Sequence, residues 1–109
     1  MELKIFEGNS IKEALDKCFA YGYKPANLVL VTLLKKSRKI PEQWYDTSTI
    51  WFKDTGEIRD ATKKELMNIE EIYKKDGRLL ILGDGDGYGL CGGSRIGDGG
   101  RFVGVRNDE

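Results

Sequence analysis

Residues 25–36, PANLVLVTLLKK, decide the fold. Read as a helix, Pro25 sits in the first turn, where its missing N–H costs nothing. Lys35 and Lys36 then lie at the carbonyl end, where the helix dipole favours cations. Read as a strand, the same residues offer β-branched Val29, Val31 and Thr32 in an apolar run short enough to be a buried strand. The helix is the favoured reading. It gives an α+β domain, with two or three helices packed on a small, mainly antiparallel sheet. The strand reading gives the order β-α-β-β-α-β.

The flanking segments fit either choice. Residues 3–6, LKIF, form a short strand that Gly8 and Asn9 break. Ser10 and Glu13 have the capping-box spacing, in which each side chain satisfies a free N–H at a helix start. Ile11, Ala14, Leu15, Cys18 and Phe19 then fall on one apolar face, and Gly22 supplies a left-handed stop. Downstream, STIWFKDTGEIRD reads as a hairpin turning at Asp54-Thr55-Gly56. Thr62 and Glu65 repeat the capping box and predict one helix over 62–76, with Leu66, Ile69 and Tyr73 on its inner face and Gly77 closing it. RLLIL at 78–82 and RFVGVR at 101–106 read as strands bracketing a glycine-rich loop.

At 109 residues the chain is one domain, 1–109, able to bury roughly 65% of its unfolded surface without disulfides or metals. Its 18 basic and 18 acidic residues cancel, and splitting it at residue 60 leaves halves near +1 and −1. No basic or acidic tail points to nucleic acid or a cation store, so nucleic acid is not an expected partner. Residues 1–20 lack the uninterrupted apolar core of a signal peptide. The longest apolar run is too short to span a bilayer, and the expectation is a soluble, cytoplasmic protein. The chain has no histidine, which removes the usual general base and zinc ligand, and with it a Ser/His/Asp triad or Cys/His pair. Two cysteines are too few for a structural zinc site without carboxylate help. Lys and Glu are abundant and Gln occurs once, a bias common in proteins from hot environments.

The stretches KEALDKCFAYGYKPANLVLVTLL, QWYDTST and GGRFVGVR together resemble the C-type lectin-like fold, in the variant of formylglycine-generating (sulfatase-modifying) enzymes and related bacterial domains. In that family a helix of the form EAL..C...G precedes a proline-opened helix ending in a leucine pair. A WYWTST-like strand comes next, and the chain finishes on a strand resembling RCVR. The match touches about half the chain. Gly104 stands where the family's last strand carries a cysteine bonded to the first helix, so the resemblance implies that Cys18 lacks that partner. The helix at 62–76 occupies a region that is loop in the family. The family's catalytic cysteines have no counterpart, so the resemblance implies architecture and not activity. The competing strand reading of 28–34 leads to a ferredoxin-like domain.

Half of residues 83–100 are glycine, a composition that loses much entropy on ordering. GYGLCG at 87–92 matches G-x-G-x-x-G, but the glycine-rich segment after it cannot form the helix whose start would hold a pyrophosphate. Asp84 and Asp86 have the spacing of calcium ligands, with Asp98 able to approach from the other side. The EF-hand pattern fails at Tyr88 and Arg95, leaving an irregular calcium site against the plain alternative of turn-forming aspartates. The third reading is a ligand lip displayed on a rigid sheet. Tyr88, Leu90 and Arg95 then supply stacking, apolar contact and a forked donor, with Asp84, Asp86 and Asp98 as acceptors.

Smaller features have plainer readings. Trp44, Tyr45 and Trp51 read as core before stacking platform. KKSRK at 35–39 reads as a solvated helix end before phosphate patch. Cys18 reads as an inert buried thiol, and Cys91 as a flexible one with nothing nearby to lower its pKa; an intracellular setting disfavours a bond between them. The leading expectation is a non-catalytic binding module with no cofactor, whose partner is a protein, a glycan or another copy of itself. The alternative is a small metal- or carboxylate-dependent enzyme acting at the same loop, through Cys91 or through Asp84, Asp86, Arg95 and Asp98. Such an enzyme requires a concave pocket where these groups converge; a binding module requires an exposed apolar or aromatic patch.

Overall fold

A computed structural model describes residues 1–83, 90–93 and 99–107, with the side chains of 90–93 excepted. The described chain is α+β, with four helices packed on one mostly antiparallel sheet. The elements in chain order are β1 (Glu2–Gly8), α1 (Ile11–Ala20), β2 (Lys24–Pro25), α2 (Leu28–Lys36), β3 (Tyr45–Phe52), β4 (Ile58–Asp60), α3 (Lys63–Met67), α4 (Ile69–Lys74), β5 (Gly77–Leu82), β6 (Leu90–Gly93) and β7 (Gly100–Arg106). The sheet runs β1-β7-β3-β5-β6, with β2 also paired to β7 and β4 to β3. Among these pairs only β3 with β7 is parallel.

Residues 28–36 are helical, which removes the ferredoxin-like alternative. In a strand Val29, Val31 and Leu33 would share one face. Here Val31 is fully buried while Val29 and Leu33 are 66% and 57% exposed, as a period of 3.6 demands. The helix starts later than the proline suggests. Asn27 is its cap, accepting from the Leu30 N–H at 2.9 Å. Pro25 instead lies in β2 opposite Gly104, at a strand end where a missing N–H is tolerated. At α1 the Ser10 hydroxyl accepts from the Glu13 N–H, but the Glu13 carboxylate takes the N–H of Asn9, so only half of the reciprocal box forms. Gly22 ends the turn at φ +79°, and Gly56 turns the β3–β4 hairpin at φ +76°.

The single helix expected over 62–76 is two. The Thr62–Glu65 box forms in full, yet the helix breaks at Asn68, whose side chain donates back to the Lys64 carbonyl. Leu66, Ile69 and Ile72 are the buried residues, a three-residue spacing that drifts around a straight α-helix; the break re-aims the second turn onto the sheet. The left-handed residue that ends this pair is Asp76 at φ +62°, one before Gly77.

Two apolar clusters cover opposite faces of the sheet. α1, α3 and α4 pack with Ile50, Leu79 and Phe102 on one face. α2 packs with Tyr45, Leu82 and Val103 on the other. The run Asp46-Thr47-Ser48-Thr49 is buried in β3, where the pairing with β5 slips between Asp46 and Ile50. The polar side chains serve the irregular backbone: Thr47 Oγ1 donates to the Leu80 carbonyl at 2.8 Å and accepts from the Thr49 N–H. No described helix is long and apolar enough to cross a membrane.

Candidate functional site

The glycine-rich segment joins β5 to β7, with β6 of the same sheet inside it, and both of its ends abut the first residues of β3. Leu82, the last residue of β5, pairs with Tyr45. The N–H of Arg101, at the start of β7, donates to Asp46 Oδ2 at 2.9 Å, and Asp46 is fully buried. Consecutive residues of one buried strand therefore hold the two ends.

Further groups reinforce this base. Lys35 turns its ammonium inward and donates to the Gly83 carbonyl at 2.7 Å, with Glu42 at 3.8 Å. It is 7% exposed, so the KKSRK cluster is not wholly solvated as its composition suggests. The Arg101 guanidinium lies 4.4 Å from the Trp44 ring, donates to the Trp44 carbonyl and pairs with Glu7 at 3.1 Å. Trp44 is half-buried and Tyr45 is core. Tyr45 donates its hydroxyl to the Pro41 carbonyl at 2.7 Å, and burial raises its pKa more than the Gln43 hydrogen bond lowers it.

Leu90 lies on β6 opposite Leu82, so residues 90–93 are a strand paired to β5, not loop throughout. Asp84, Asp86, Tyr88, Arg95 and Asp98 lie outside the described residues, as does the calcium reading built on them. The backbone of Cys91 is on β6. Cys18 is free and buried beside Phe6 and Tyr23. Gly104 faces Phe6, whose ring fills the space that a side chain there would need. Among the described residues no three carboxylates or cysteines gather as a metal cluster.

The sequence gives little sign of Lys35, Trp44, Asp46 and Arg101 acting together. The available signal is an acidic residue opening a buried TST run. No family model matches this chain, and neither curated proteins nor solved structures yield a match.

Proposed function

We propose that the chain is a non-catalytic binding module of C-type lectin-like architecture that presents residues 83–100 to its partner. The observation that carries this reading is the fixed base: Leu82 beside Tyr45 and Arg101 on Asp46 hold both ends of the segment on one buried strand. A packed sheet under a connecting segment is the arrangement that places contact residues on loops. Tyr88, Leu90 and Arg95 are the contact residues in this reading, with Asp84, Asp86 and Asp98 as acceptors. The Trp44–Arg101 stack extends the surface at its foot.

Support for the architecture is the element order. A strand, two helices and the strand bearing YDTST precede a last strand that pairs with the first. The helices α3 and α4 stand where the resembling family has loop, and that family's enzymatic activity is not carried over. The partner is a protein, a glycan or a second copy.

Thermal melting against a glycan panel, calcium, nucleotides and a protein pull-down fraction tests the reading. A specific partner at hundredfold excess over its Kd adds about 2.7 kcal/mol of stability. Tyr88→Ala and Arg95→Ala should abolish that gain while leaving the free melting point unchanged. A gain from nucleotide, or one indifferent to both variants, would overturn the proposal. Turnover that depends on Asp84 or Cys91 would favour the enzyme alternative.

A further inference from the structure

β3 and β7 run parallel with one bridging pair, Asp46 and Phe102. Beyond it β7 continues with β2 alongside and β3 with β4 alongside. A crevice of about 560 Å3 lies between these two strand pairs, within the roughly 300–1,000 Å3 of small-ligand clefts. Ala26, Ser48 and Ala61 line it with small side chains, and their backbones are linked: the Ser48 N–H donates to the Ala26 carbonyl and the Ala61 N–H to the Ser48 carbonyl. No residue of the glycine-rich segment is among its described walls, so a role for this crevice is independent of the proposed binding role of that segment.

Lys24 and Asp60, of opposite charge, are both among the residues that line this crevice. Asp60, at the end of β4, accepts from Thr49 Oγ1 at 3.0 Å on one carboxylate oxygen and from Asn27 Nδ2 at 2.9 Å on the other. Both donors are neutral, so they fix the carboxylate's orientation and leave its charge in place. Lys24, on β2, is exposed. Among the described residues neither Lys24 nor Asp60 makes an ion pair. Arg106 also lines the crevice, but its guanidinium is held by Glu2 at 2.6 Å. The start of α2 is occupied too, with the Leu28 N–H on Thr49 Oγ1 and the Leu30 N–H on Asn27.

A hydrogen-bonded carboxylate and an exposed lysine, both on residues that line one cleft and neither in an ion pair among the described residues, are complementary to a molecule that carries both charges itself. We propose that this crevice binds small zwitterions of the amino-acid and short-peptide class, with the ligand ammonium on Asp60 and its carboxylate on Lys24. Each contact is a charge-assisted hydrogen bond, the stronger kind. The apolar flank of the ligand lies against Leu30 and Val105.

The test is an amide 15N–1H titration of the full chain with glycine, diglycine and triglycine, each beside its N-acetylated, C-amidated form. The graded lengths find the span between the two charges. At least one free zwitterion should give saturable shifts at Asn27, Ser48, Asp60 and Ala61. Its blocked form should bind at least about tenfold more weakly, and Asp60→Asn and Lys24→Met should each weaken the free form by a similar factor. Asp60→Asn keeps an acceptor oxygen, and Lys24→Met alters an exposed side chain, so at least one variant stays folded. Absence of saturable shifts with all three zwitterions overturns the proposal. So does equal binding of the blocked forms, or binding that survives Lys24→Met.

Discussion

Gly8 and Gly100 are cross-strand partners at the end of the β1–β7 ladder, and helix α1 lies directly on the pair. A Cβ on Gly8 would stand 2.7 Å from the Ala14 nitrogen, and one on Gly100 would stand 2.9 Å from Ile11 Cα. Both obstacles are backbone atoms of α1, which cannot step aside as a side-chain tip can. These two glycines are therefore explained by helix–sheet packing, and Gly100 is the anchored end of the 83–100 segment. Gly100→Ala is expected to cost about 1–3 kcal/mol in urea unfolding, the usual penalty of overpacking. Gly99→Ala, whose Cβ would sit 3.4 Å from the Gly8 carbonyl in ordinary contact, should change stability by under about 0.5 kcal/mol. Equal losses at the two positions would rule out this account.

Asp46 and Arg101 carry the second prediction. The carboxylate takes the first N–H of β7 from a site with no solvent access. Asp46→Leu leaves that amide without its acceptor and should cost about 1–3 kcal/mol. Asp46→Asn retains an acceptor oxygen and should cost less. Hydrogen exchange at the Arg101 amide is the specific readout, because it should accelerate in the leucine variant ahead of amides in β1. Unchanged protection at Arg101 would show that the bond does not hold the strand.

The parts of the fold that were legible are those written in local sequence. Ser10, Glu13 and the apolar face from Ile11 to Phe19 lie within three turns, and α1 follows from them. The 25–36 run is ambiguous because Val29, Val31 and Leu33 satisfy a strand's period as readily as Val31 and Leu34 satisfy a helix's; Asn27 as cap and the burial of Val31 settle it. The break at Asn68 is hidden because Tyr73, at a helical spacing from Ile69, masks the burial of Ile72. At the candidate site, Lys35 meets Gly83 across 48 positions and Arg101 meets Asp46 across 55. No window of helical or strand length joins such partners, so a buried lysine reads as part of a solvated basic cluster. Leu90–Gly93 pair as a strand despite a glycine content that suggests only loop.

Glu65 predicts a pH dependence. Bidentate hydrogen bonds from Arg59, at 2.8 and 2.6 Å, and then the Thr62 N–H pull its pKa down from 4.5 to about 2. The unfolded chain binds this proton at a higher pH than the folded one. The contribution to stability is therefore complete above about pH 4.5 and is lost as pH falls toward 2. Glu65→Gln should flatten the stability profile across that window and leave the slope at neutral pH alone. A carboxyl titration midpoint for Glu65 near the ordinary 4.5 would show that the Arg59 fork does not persist in solution.

Cys18 predicts the opposite edge of the pH range. Burial beside Phe6 and Tyr23 disfavours the thiolate and pushes the pKa from 9.0 up to about 12. The unfolded chain loses this proton first as pH rises, so stability should decline between about pH 9 and 12, and Cys18→Ala should remove that part of the decline. The same burial governs reactivity, because the thiolate is the nucleophile. In the native protein at pH 8, iodoacetamide should label Cys18 only through opening of the α1–β1 contact, at a rate that climbs with urea in step with unfolding. Mapping the label to the peptide containing Cys18 separates it from Cys91. Rapid labelling of Cys18 in a chain that keeps its native near-ultraviolet dichroism would show that α1 does not seal the thiol against β1.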